Sequence, residues 1–198
     1  MELSAREKSL KEFKQENLML RYIVIALVIS VFLALYKLVA QSEILIVQTP
    51  GMPANSVIQK TAFDKGAQSA TLATVTNCLS AITPANAQYQ KQCLGLYLSA
   101  EVYTKVMDEI NAKVEKQKRE RELGSTYFIF KKYEYDPKID RHFVIGDLHT
   151  VNAAKDTTEE YVYEYQTHIE NYRMWIDEIV TYPGNRPHNS EWLESAKK

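Results

Sequence analysis

The chain has 198 residues, with 24 Lys and Arg against 25 Asp and Glu. That near balance excludes the basic surplus of a nucleic-acid-binding surface, and the length admits one domain with a sizeable core and an appendage rather than two enzymatic domains. The averages, 45% hydrophobic and 25% charged, resemble an ordinary soluble globule but conceal a very uneven distribution along the chain.

Residues 1–21 hold Arg6, Lys8, Lys11, Lys14 and Arg21 against Glu2, Glu7, Glu12 and Glu16, a net charge of +1 (five minus four). From Tyr22 to Tyr36 there is no charge, and Lys37 alone interrupts the apolar run before Ala40. At about 1.5 Å of rise per residue this run spans about 28 Å, close to the hydrocarbon core of a bilayer. Lys37 lies near enough to the end to snorkel, Ser30 can bond back to its own helix, and Tyr22 and Tyr36 sit where amphipathic rings favour the headgroup layer. A cleaved signal peptide fits poorly, because the leader is long and of mixed charge and Leu38-Val39-Ala40 is a weak cleavage site.

One helix is therefore expected from about Ser4 through Ala40. The basic residues before the run outnumber those just after it, so the positive-inside rule places the leader in the cytoplasm. Leu3, Leu10, Phe13 and Leu18 fall near one helical face. Phe13 is thus a candidate contact for a cytoplasmic partner, the alternative being a solvated leader that only fixes topology. From Ile44 onward there are 18 basic residues (24 minus 6) and 20 acidic ones (25 minus 5), a net charge of −2.

The chain divides into a cytoplasmic leader helix at 1–21, a transmembrane helix at 22–40, a linker with a short strand at 41–60, a periplasmic domain at 61–184 and a polar, fraying tail at 185–198, which Trp192-Leu193 would at most tack down. Ile44–Val47 reads as the short strand, stopped by Pro50 and Pro53. Thr61–Ile82 carries apolar residues at helical spacing and breaks at Thr83-Pro84. Thr83 can cap a second helix, from about Pro84 to Tyr97, with Pro84 at its first position. A third helix, Ala100–Leu123, repeats Val102, Val106, Ile110 and Val114 every four residues and closes at Gly124. Its charged end, Glu115–Glu122, reads as a solvated helix end rather than a binding patch.

Between Ser125 and Tyr182 lie eight of the 13 Tyr and three of the six Phe, in runs of period two. Four antiparallel strands are expected. The first, around Tyr127–Tyr135, begins buried on both faces and turns at Asp136-Pro137-Lys138. The second is Phe143–Leu148, with Gly146 a bulge or close-approach point. Tyr161–Ile169 follows, and a tight turn near Glu170-Asn171 leads to Tyr172–Tyr182. The fold class is α+β: an N-terminal transmembrane helix, then about three helices packed on a four-stranded antiparallel sheet.

No chemistry stands out. The six Gly are too scattered to cradle a phosphate, and His142, His149, His168 and His188 lack metal-ligand spacing, so no metal or cofactor is expected and no catalytic residue is assigned. Asp140 with His142, or His149 with Asp156, would serve acid–base work only if they lined a cavity. Cys78 and Cys93 flank the expected helix break, so an exported hairpin would bring them together as a disulfide, the alternative being two buried thiols. Trp175, on the last strand, is a candidate interface residue.

Several segments resemble, in order and spacing, the TraE family of conjugative type IV secretion systems. They are Ile46-Val47-Gln48-Thr49-Pro50-Gly51-Met52 after the membrane helix, Asn77–Asn86 around Thr83-Pro84, Phe143–Thr150, and Tyr161–Ile169. The resemblance covers almost the whole chain. It implies a nuclear-transport-factor-like exported fold related to the VirB-type inner-membrane assembly factor. It also implies a non-enzymatic, often oligomeric subunit whose partners are other subunits of the DNA-transfer channel and pilus-assembly machine; the balanced charge, separately, leads to the expectation of no direct contact with nucleic acid. A membrane-tethered enzyme or ligand-binding domain, with a pocket between helices and sheet lined by His142 or His149, is the alternative. A stand-alone membrane adaptor or sensor is a third.

Overall fold

The computed structural model describes residues 2–40, 51–120, 124–152 and 155–196, with side chains described from Lys14 within the first helix. The chain forms two compact units, Met1–Glu43 and Ile44–Lys198.

The first unit is a single helix, α1 (Glu2–Ala40). Within it, Lys14–Val39 is long and apolar enough to cross a membrane, with an 18-residue window whose mean hydropathy is 2.6. Leu, Ile, Val and Phe cover every side of this helix, whereas a helix docked on a soluble core shows one apolar stripe. The Ser30 hydroxyl donates to the Leu27 carbonyl at 2.8 Å, which satisfies the one hydroxyl at mid-span.

The second unit runs α2 (Lys65–Ser80), α3 (Ala87–Leu94), α4 (Ala100–Glu120), β1 (Ser125–Asp136), β2 (Arg141–Val151), β3 (Asp156–Glu170), β4 (Arg173–Pro183) and α5 (Ser190–Ala196). The four strands form one antiparallel meander in chain order. The short strand expected at Ile44–Val47 lies outside the described residues.

Local chemistry sets the helix ends. Asp64 starts α2 four residues later than Thr61 because its carboxylate accepts the Ala67 N–H at 2.7 Å and the Val57 N–H at 2.9 Å, capping the helix and clamping the preceding loop. At the corner before α3, the Thr83 carbonyl accepts the Ala87 N–H and its hydroxyl faces the Asn86 N–H. The Asn86 carboxamide returns a bond to the Thr83 N–H at 2.7 Å and donates to the Ala81 carbonyl at 2.7 Å. This reciprocal cap takes up the first turn, so the regular helix begins at Ala87 and ends at Leu94, short of Tyr97. Across this corner Cys78 and Cys93 form a disulfide, with Cα atoms 6.5 Å apart.

Two bulges re-phase the sheet. In β1 the register shifts between Phe130 and Lys132, and in β4 opposite Gln166 and Thr167. Each inserts one residue, Lys131 and Asp177, and so moves the following side chains to the other face. Phe128 and Tyr133, five residues apart, consequently both enter the core, as do Ile176 and Ile179. The core joins Leu72, Val75 and Ile82, Leu94 and Leu98, and the α4 stripe Val106, Ile110 and Val114 to Val144, Tyr163, Tyr165, Met174 and Ile176 on the sheet.

The start of β1 is not buried on both faces. Tyr127, Ile129 and Phe130 are 40, 46 and 39% exposed, because β1 is an edge strand and the helices cover only its inner side. The segment beyond Pro183 is also better ordered than its polar sequence implies. Phe143, Ile145 and Val162 form a second apolar cluster with Ile139 and Tyr182, and the chain returns beside it. His188 stacks between Tyr182 and Trp192, with centroids 4.0 and 3.8 Å away. The Ser190 N–H donates to Asp136 at 2.7 Å and the His188 N–H to the Tyr182 hydroxyl at 2.9 Å. Aromatic stacking and two backbone bonds thus fix a segment that carries few aliphatic residues.

The disulfide closes a loop of 15 residues. Replacing both cysteines with alanine is expected to lower the stability of the second unit by about 3 kcal/mol. Urea denaturation of oxidised and variant protein checks this, and coincident curves would contradict it.

Candidate functional site

A groove of about 740 Å³ lies between α4 and the sheet and also reaches the end of α2. The period-four repeat of α4 supplies part of its apolar floor through Val102, Val106 and Ile110, opposite Tyr163 and Ile179. Charges of both signs rim it: Glu101, Lys105, Glu109 and Lys113 from α4, and Asp177 and Glu178 from β4. An apolar floor with a mixed charged rim suits an amphipathic segment or small molecule. Burial holds the Lys113 ammonium below its ordinary value.

Periodicity in the sequence does not single out the acidic side of this rim. Its signal was present in the consecutive acids Asp177-Glu178, which break the alternation of β4 where the extra residue lies.

None of the four histidines lines this groove. His142 is only 3% exposed and packs against the Tyr135 ring. The Tyr133 hydroxyl donates to Gln68 Oε1 at 2.8 Å and meets His142 Nδ1 at 2.7 Å. With that proton committed to Gln68, Nδ1–H donates to Tyr133 and Nε2 accepts from the Thr167 hydroxyl at 3.1 Å. This is a satisfied core histidine. Asp140, its expected partner, instead accepts from the Tyr135 hydroxyl at 2.9 Å. His149 stacks on Tyr127, and its Nδ1 lies 3.8 Å from Asp156 on the sheet surface.

Burial lowers His142 from the ordinary histidine value to about 4, with Asp140 opposing the shift. The unfolded chain takes up this proton near pH 6.5 and the folded one only near 4. The contribution of the neutral ring is therefore complete above about pH 6.5 and is lost as pH falls toward 4, about 3 kcal/mol in all. Unfolding free energy should fall more steeply over that window in the natural protein than in His142→Gln. Equal slopes would contradict the assignment.

Trp175 is half-buried. The Arg173 guanidinium lies 3.9 Å over its ring and also donates to the Leu96 carbonyl at 2.6 Å. Phe13 belongs to α1, but its side chain lies outside the described residues.

A membrane-length helix is followed in the chain by an α+β domain of helices packed on a four-stranded antiparallel meander. The family described as TraE protein matches residues 1–181, and the chain belongs to the TraE family of type IV secretion subunits. Three solved structures share the fold. The soluble domain of TrwG, from the type IV secretion machinery of Bartonella grahamii, superposes with a TM-score of 0.53 at 6% identity, covering 64% of this chain and 99% of that one. A TraE protein in complex with 4-(1H-pyrrol-1-yl)pyridine-2-carboxylic acid gives 0.52 at 8% identity, covering 63% and 100%. The VirB8 protein of Agrobacterium tumefaciens gives 0.50 at 8% identity, covering 61% and 96%. No curated protein matches the sequence.

Proposed function

We propose that this chain is a non-catalytic, single-pass inner-membrane subunit of a conjugative type IV secretion system, acting in assembly of the DNA-transfer channel and pilus through protein–protein contacts. The family match carries the reading, because it spans both the apolar helix and the folded domain. In this reading residues 1–21 lie in the cytoplasm, 22–40 cross the inner membrane, 41–60 form the linker, and 61–184 with the 185–198 tail fold in the periplasm. The basic leader supports that orientation, and the Cys78–Cys93 disulfide suits an oxidising compartment. The protein works as a homo-oligomer beside other channel subunits, with Trp175 and Phe13 as candidate contacts and without gripping DNA itself.

Paired reporter fusions test the topology. A periplasmic reporter is expected to be active on the C-terminus and silent on the N-terminus, and the reverse pattern would overturn the orientation. Mass spectrometry of cell-derived protein under non-reducing conditions should find Cys78 and Cys93 linked. Two free thiols would remove the support drawn from the disulfide.

A further inference from the structure

The two edges of the sheet are treated differently by the rest of the fold. At β4, the segment before α4 pairs with the edge at Ile176, ahead of the bulge: the Ile176 N–H donates to the Tyr97 carbonyl at 2.8 Å and the Ser99 N–H to the Ile176 carbonyl at 3.0 Å, with Leu98 bridged to Ile176. At β1, only the second half is protected. The bulge at Lys131 breaks the edge, and Lys131 and Lys132 stand on it. A bulge and lysines are devices that stop a sheet edge from pairing with another chain.

The first half, Ser125–Phe130, has neither. It holds no charged residue, no strand pairs with its outer edge among the described residues, and it exposes Tyr127, Ile129 and Phe130. Protection that stops halfway along one strand marks the bare half as a pairing surface. Charge indicates what it pairs with. Lys131 is held by Asp147 at 2.6 Å, and Lys132 pairs with Glu134, so the bulged end is neutralised. At the opposite end, a cleft of about 230 Å³ is lined by Lys113, Lys116 and Gln117 of α4, by Gly124 and Thr126, and by Thr150 and Asn152 at the end of β2. Neither lysine forms an ion pair among the described residues.

We propose that Ser125–Phe130 is a strand-addition site for an extended segment of a partner subunit, apolar along its middle and acidic at the end that reaches Lys113 and Lys116. Backbone bonds to the bare edge supply affinity, contacts with Tyr127 and Ile129 supply selectivity for β-branched side chains, and the lysines set direction. The inference rests on the reading of the chain as an assembly subunit and names the chemistry of one partner.

The test uses full-length protein in nanodiscs and a short fluorescein-labelled peptide with two aspartates at one end followed by alternating valine and threonine. Saturable binding by anisotropy is expected. It should weaken about tenfold for Ile129→Lys, which puts a guard on the bare edge, and comparably for Lys113→Glu with Lys116→Glu. A backbone N-methylated peptide should not bind, while Tyr89→Ala, on the exposed face of α3, should bind normally. Absence of saturable binding, equal binding by Ile129→Lys, or equal binding of a peptide with lysines in place of the aspartates would overturn the proposal. So would dissociation of an oligomer on Ile129→Lys without peptide binding, which would give the edge to a second copy of this chain. These outcomes are read without DNA transfer, so they can fail while the secretion-subunit reading stands.

Discussion

Gly146→Ala is expected to destabilise the second unit by about 3 kcal/mol. A Cβ at this position would lie 2.1 Å from the Ile129 carbonyl oxygen and 2.6 Å from Phe128 Cζ. The phenyl ring can turn aside, but the carbonyl belongs to the neighbouring strand, so β1 itself must move. Adding Phe128→Ala should therefore not restore stability, because it clears the ring, leaves the backbone clash and opens a cavity in the core. A urea midpoint for Gly146→Ala close to that of the natural protein would show that β1 and β2 are spaced more widely at this point.

The second large effect concerns Tyr165, which is fully buried and reaches from β3 to α2. The Thr76 hydroxyl donates to the Leu72 carbonyl at 2.7 Å and lies 2.7 Å from the Tyr165 hydroxyl, so Tyr165 is the donor in that second bond. Tyr165→Ala removes an aromatic ring from the centre of the core, at a cost of about 4 kcal/mol. Tyr165→Phe loses one net hydrogen bond, about 1 kcal/mol, because Thr76 keeps its bond to the helix. Thr76→Val leaves the phenol buried without its acceptor and should cost about 2 kcal/mol. The ordering of the three variants by urea denaturation is the check, and Tyr165→Phe as harmful as Thr76→Val would reverse the donor assignment.

The pattern at Tyr165 is legible in the sequence, since Tyr161, Tyr163 and Tyr165 recur with period two while Glu160, Glu164 and Gln166 take the other face. Four antiparallel strands, three helices before them and an apolar span at the N-terminus follow from periodicity alone. What periodicity could not reveal is where it breaks. The bulges at Lys131 and Asp177 look like lapses in alternation until the register is known, and they decide which of Phe130, Tyr133, Ile176 and Ile179 enter the core.

The start of β1 departs from the expectation for a related reason. An uninterrupted apolar run reads as a strand covered on both sides, but the same run on an edge is exposed, and strand order is a tertiary property. The polar C-terminal segment hid its order in three aromatic rings, Tyr182, His188 and Trp192, that are too widely spaced to form a sequence pattern. A pocket between helices and sheet is among the expectations from sequence, but its lining is not. The apolar stripe of α4 was evident, but its charged rim joins residues from α4 and β4 that only the folded sheet brings together. The histidines drew attention as candidate acids and bases, yet burial and hydrogen bonding to Tyr133 and Thr167 make His142 part of the core.

The central claim is that the chain works as a protein–protein subunit of a DNA-transfer machine. The most direct measurement is the conjugation frequency of donor cells deleted for this chain and complemented in trans. The account predicts that transfer is lost on deletion and restored by the natural sequence. Restoration should also follow from Asp140→Asn and from His149→Gln, since the proposed role assigns catalysis to neither pair of acid and base. Undiminished transfer after deletion, or rescue that depends on His149 and Asp140 while folding is intact, would contradict it.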